Sequence, residues 1–124
     1  MSDHLDETKE VCVRGVWFEI RKLQVLDHLH GSSILTESYR VWAKPSDQKL
    51  VEAATEKIKK HYRDVFLACV IDPKLVRKEA DAGTDSTWVD RLFLDFELAQ
   101  DLYLEIMIFT HGKKKIQQSM RRFN

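Results

Sequence analysis

Residues 88–111, WVDRLFLDFELAQDLYLEIMIFTH, constrain the fold more than any other stretch of the chain. Plotted at about 100° per residue, Trp88, Leu92, Phe96, Ala99, Tyr103 and Ile106 gather on one side. Leu98, Leu102 and Phe109 widen the arc on one flank, and Val89, Phe93 and Met107 widen it on the other. The acids Asp90, Glu97, Asp101 and Glu105 keep a strip roughly 80° wide, interrupted by Leu94 and Ile108. A surface helix usually needs an apolar stripe of little more than about 100°, and this arc is nearly twice that. Either the helix is central and covered on several sides, or part of the arc meets a partner chain or an extended client. The spacing predicts one helix from about Trp88 to His111, opened by the Thr87-x-x-Asp90 start signal and stopped at Gly112.

A second long period lies upstream. Leu50, Ala54, Ile58, Tyr62, Val65 and Cys69 recur at steps of four or three, with Glu52, Glu56, Lys59, Lys60 and Arg63 on the other side. This predicts a helix from near Ser46, the candidate N-cap, to just before Pro73. Between the two helices, IDPKLVRKEADAGTDST reads as a connector with one helical turn at 74–80, broken by Gly83. Ahead of them, EVCVRGVWFEIRKL alternates about Gly15, so a strand pair or a bent strand is expected there. QVLDHLHGSS fits a short helix stopped at Gly31, and ESYRVWAKP reads as a strand ended by Pro45. The predicted class is α+β, mostly α: two long helices, shorter helical segments and a small N-terminal antiparallel β element. Such short strands need a helix to cover them.

With 124 residues the chain has material for one core. We divide it into a flexible leader at 1–9, a globular domain at 10–111 and a basic tail at 112–124. Twenty basic residues balance twenty acidic ones, which argues against a whole-protein footprint for nucleic acid. The distribution is polar nonetheless: residues 79–111 carry eight acids and one base, Arg91, whereas the tail carries Lys113, Lys114, Lys115, Arg121 and Arg122. A charge dipole of this kind suits self-association or a partner with patches of both signs.

Cys12 and Cys69 lie in apolar runs without metal spacing and read as free, buried thiols in a reducing compartment. The acidic, polar N-terminus does not have the form of a secretory signal, and no run reaches the roughly 18 apolar residues of a membrane span. A cytoplasmic location, with no membrane partner, is the expectation. His28 and His30 form an H-x-H pair without a third ligand at helpful spacing. The Glu97, Asp101, Glu105 ladder lacks the E-x-x-H of a di-metal bundle and reads as a solvated acidic face, to which Asp90 also belongs. There is no nucleophile elbow, phosphate-cradling glycine loop or H-E-x-x-H, so neither a catalytic residue, a metal nor a cofactor is assigned and no enzymatic activity is expected.

Layout and short matches together carry a resemblance. A β segment leads to YRVWAKPSDQKLVEAA, a long helix ends in ACVIDPKL, and after an acidic linker TWVDRLFLDFELAQDLYLEI forms the closing helix. Across roughly residues 10–110 the chain resembles the tail assembly chaperones of long-tailed bacteriophages, small and mostly helical proteins. The resemblance implies a non-enzymatic role in the host cytoplasm: binding and solubilising the tape measure protein and helping to recruit tail tube subunits. It also implies a second, longer form made by ribosomal frameshifting, for which the codons of GKKK at 112–115 are the candidate slippery run. The family has no catalytic residues to carry over. From the wheel alone, Trp88, Leu92, Phe96, Leu98, Leu102 and Phe109 are the candidate client-binding residues. The alternative is a small helical adaptor or regulator that binds nucleic acid through its basic tail, although the tail lacks interleaved aromatics and the acids before it would repel a phosphate backbone.

Overall fold

A computed structural model describes residues 7–24 and 35–112. The short helix expected at 24–33 lies outside the described residues but for Gln24, as do the leader residues 1–6 and the basic residues Lys113, Lys114, Lys115, Arg121 and Arg122. The class is α+β, mostly α, as the periodicities predict.

The alternation about Gly15 forms a hairpin of β1 (Thr8–Val13) and β2 (Val16–Arg21), paired antiparallel from Thr8 opposite Arg21 to Val13 opposite Val16. Its two-residue turn places both Arg14 and Gly15 at positive φ, 51° and 85°. That is the twist-matched turn for a two-residue loop, and Gly15 accepts it freely where a Cβ would be strained. The period of two sends Val11, Val13, Phe18 and Ile20 into the core and Glu10, Cys12, Trp17 and Glu19 to the opposite face. A third strand, β3 (Val70–Asp72), pairs antiparallel with β2, giving the order β1-β2-β3.

Two helical stretches precede β3. Residues 35–43, which we name α1, are helical rather than extended. Tyr39, Val41 and Ala43 suggest a strand by their alternation, but the residues that meet the rest of the protein, Leu35, Ser38, Tyr39 and Trp42, are spaced by three and four. Tyr39 hydrogen-bonds Tyr62, and Trp42 Nε1 donates to Thr55 Oγ1 at 3.1 Å, so tertiary contacts favour the helix. The long helix α2 spans Gln48–Cys69 and buries Ala54, Ile58, Tyr62, Val65, Phe66 and Cys69. Its N-cap is Asp47 rather than Ser46: the Asp47 carboxylate accepts from Lys49 N at 2.9 Å, which satisfies one of the orphan donors of the first turn. The helix stops at Val70, where the backbone turns extended to join the sheet.

The connector also departs from expectation. Instead of a helical turn at 74–80, Lys74–Val76 (β4) pairs in parallel with Ser86–Trp88 (β5), and a 3₁₀ turn at Glu79–Asp81 lies between them. The predicted single helix at 88–111 is two pieces: a 3₁₀ segment, Val89–Leu94, and the helix α3, Phe96–His111. Asp95, at φ −120° and ψ 95°, breaks the run and caps α3 by accepting from Leu98 N. The Thr87-x-x-Asp90 signal caps nothing, because Thr87 is in β5 and Asp90 is bonded to Arg63. Gly112, at φ 90°, ends α3 where its sequence position predicts.

The core lies where α3 passes between the inner face of the hairpin and α2. Phe18, Ile20, Ile58, Phe66, Val89, Ala99, Leu102 and Ile106 are at most 2 % exposed there. At about 25 cal/mol per Å² of apolar surface removed from water, this contact is the main source of stability.

Candidate functional site

The covering of α3 accounts for most of its wide arc. Ala99, Leu102, Ile106 and Met107 are buried, and Phe96, Leu98, Tyr103 and Phe109 are partly buried against the same core. Of the six candidate client-binding residues, Leu92 and Leu102 are therefore core residues and not an exposed surface. Trp88 is half-buried, with its indole N–H donated to the Arg77 carbonyl at 3.1 Å. Phe96 stacks on Tyr62 and meets the edge of Trp42, Leu98 supplies the capped backbone N–H of α3, and Phe109 lies under Lys9 and Lys22. The chain covers this helix with a sheet on one side and α2 on the other, so an arc of nearly double width needs no partner to explain it.

Where α1, α2 and α3 meet, aromatic rings and hydroxyls interlock. Tyr62 stacks on Tyr103 with ring centroids 4.3 Å apart and planes inclined by 19°, an offset-stacking geometry. Its hydroxyl bonds Tyr39, while Tyr103 bonds His61 Nε2 at 3.0 Å. Burial pushes all three phenols to higher pKa, so they stay protonated and available as donors. This seam joins three helices.

The acidic residues divide by partner. Asp90 takes a two-pronged bond from Arg63, at 2.7 and 3.1 Å, beside a Phe93 ring that Arg63 also overlies. Glu97 and Asp101 both hold Arg14, each at 2.9 Å, which ties the tip of the hairpin to the first turns of α3. Glu105 lines a shallow notch with Cys12, Arg14, Asp101 and Leu104. Asp90 is therefore mostly covered, whereas Glu97 and Asp101 stay largely in water as they bridge to Arg14. Cys12 corrects a second expectation: it is exposed, since its place between the inward Val11 and Val13 turns it outward, whereas Cys69 is buried.

The large apolar side chains in water lie elsewhere: Trp17 is 65 % exposed, Leu94 83 %, and Val16, Leu50 and Ile71 are also exposed. The alternation about Gly15 was the signal for Trp17, because every second residue of β2 had to leave the core. Leu94 interrupts the acidic strip of the helical wheel, which was the signal for its exposure. Among the described residues no group of three or more His, Cys, Asp or Glu side chains is placed to hold a metal ion, and no helix is long and apolar enough to cross a membrane. Comparison with known proteins finds no matching family model, no matching curated protein and no matching solved structure.

Proposed function

We propose that the chain is a non-catalytic assembly chaperone of the phage-tail type, which binds and solubilises a tape measure protein and helps recruit tail tube subunits. One observation supports it best: an indole and a leucine, Trp17 and Leu94, stand largely in water on well-packed elements instead of joining the core. Exposed apolar side chains on a rigid support, bordered by charge, suit reversible capture of an amphipathic chain. The capture surface is therefore moved from the arc of α3 to the residues the fold leaves outside.

Co-expression tests the reading. Soluble tape measure protein should rise when the chain is present and fall back when Trp17→Ala and Leu94→Ala are combined. An unchanged soluble fraction with the wild-type chain would rule the chaperone role out. Sequencing the codons of Gly112–Lys115 tests the longer form separately: a slippery heptamer followed by an overlapping frame is expected.

A further inference from the structure

The face of the sheet turned away from α3 carries an unusual row. Glu10 on β1 lies directly opposite Glu19 on β2, and Glu19 lies opposite Asp72 on β3, so three carboxylates cross the three strands at one register position. Like charges directly opposite one another destabilise a sheet. None of the three has a cationic partner among the described residues. Arg21, two residues along from Glu19 on the same face, instead donates its Nε–H to the Ala68 carbonyl at 2.7 Å. The neighbouring pair in the other direction is Cys12 opposite Trp17, with the indole 65 % exposed. Ile71, beside Asp72 at the irregularity of the β2–β3 pairing, adds a second exposed apolar side chain. On α3, by contrast, Glu97 and Asp101 are both answered by Arg14.

We propose that this outer sheet face docks a basic amphipathic helix of a partner protein, with its lysines or arginines over the Glu10–Glu19–Asp72 row and an apolar side chain against Trp17. Charge complementarity selects the occupant. A cationic segment relieves the repulsion the sheet carries alone, and the indole offers both apolar area and an electron-rich face for a cation. A helix fits because the open element is the broad face of the sheet, with Trp17 standing out from it. The helical character of the partner rests on the chaperone reading above; the basic character rests on the acid row alone.

The test uses the full chain and a synthetic amphipathic helix of lysine, leucine and alanine. The protein has three tryptophans, and the indole N–H groups of Trp42 and Trp88 are held by Thr55 and Arg77. The Trp17 indole signal in a nitrogen-edited NMR spectrum should therefore move on titration while the other two stay. Affinity should drop about tenfold in the Glu10→Gln/Glu19→Gln variant, fall with added salt, and vanish for the same peptide with glutamate in place of lysine. Unchanged binding by the double variant or by Trp17→Ala, or equal binding of the acidic peptide, overturns the proposal. So does concentration-dependent self-association that Trp17→Ala abolishes, which would make the face a contact between copies. Binding that appears only after removal of residues 113–124 overturns it as well, since the chain's own basic end would then be the occupant. If the double variant still solubilises a tape measure protein, this face fails as the client site while the chaperone reading stands. If the wild-type chain binds the basic helix yet solubilises no tape measure protein, the reverse holds.

Discussion

The helical seam and the outer sheet face use similar residues to opposite ends. In the seam each ring has a ring beside it, and the hydroxyls of Tyr39, Tyr62 and Tyr103 are all bonded to side chains. The nearby acid, Asp90, is held by Arg63. On the outer face the indole of Trp17 is in water and carboxylate opposes carboxylate. One region has been arranged to satisfy itself, the other leaves its valences open. The contrast separates residues that hold the fold from residues that are free to meet something else.

Substitutions should break that contrast in a graded way. The largest effect belongs to the seam: Tyr62→Ala removes a ring 2 % exposed and stacked on Tyr103 and Phe96. It should cost about 3–5 kcal/mol in chemical denaturation. Arg63→Ala comes next. It leaves a partly buried Asp90 without its two-pronged partner, and a loss of about 1.5–3 kcal/mol is expected. Alkali attacks the seam as a whole. Burial holds the Tyr62 and Tyr103 phenols above the ordinary value near 10, so the unfolded chain releases protons there before the folded one does. Stability should be flat up to about pH 10 and decline as pH rises beyond it, read by thermal unfolding across the alkaline range. At the exposed hairpin tip, Arg14→Ala should cost less than Arg63→Ala, and less still in high salt. On the outer face the sign should reverse: Glu19→Gln, by interrupting the acid row, should leave stability unchanged or raise it by a few tenths of a kcal/mol. A loss as large as that of Arg63→Ala would mean that the row is structural and the contrast false.

Periodicity records burial better than it records backbone continuity. The hairpin was legible because a glycine interrupts a period of two, and α2 because Ala54, Ile58, Tyr62, Val65 and Cys69 repeat inward at helical steps, although Leu50, expected on the same side in the first turn, is exposed. The Asp95 break was not, since Val89 and Leu92 in the 3₁₀ segment enter the same core as Ala99 and Leu102 in α3, and the apolar pattern runs through the change of backbone. Residues 35–43 mislead for a related reason. Tyr39, Val41 and Trp42 have strand-like propensities, and the bonds to Tyr62 and Thr55 that favour a helix come from residues not adjacent in sequence. The candidate surface was less legible still. Which of many apolar residues stay in water depends on which faces the helices cover, and the row of acids exists only once β3, some fifty residues downstream, pairs beside β2.

That late pairing bears on how the chain is made. The hairpin leaves the ribosome before its partners do: the strand beside it is Val70–Asp72, and the helix that covers its apolar face is Phe96–His111. Val11, Val13, Phe18 and Ile20 therefore lack their native cover until α3 has been synthesised. Native structure should consequently appear late and all at once during translation, with nascent chains arrested before α3 remaining open to proteases.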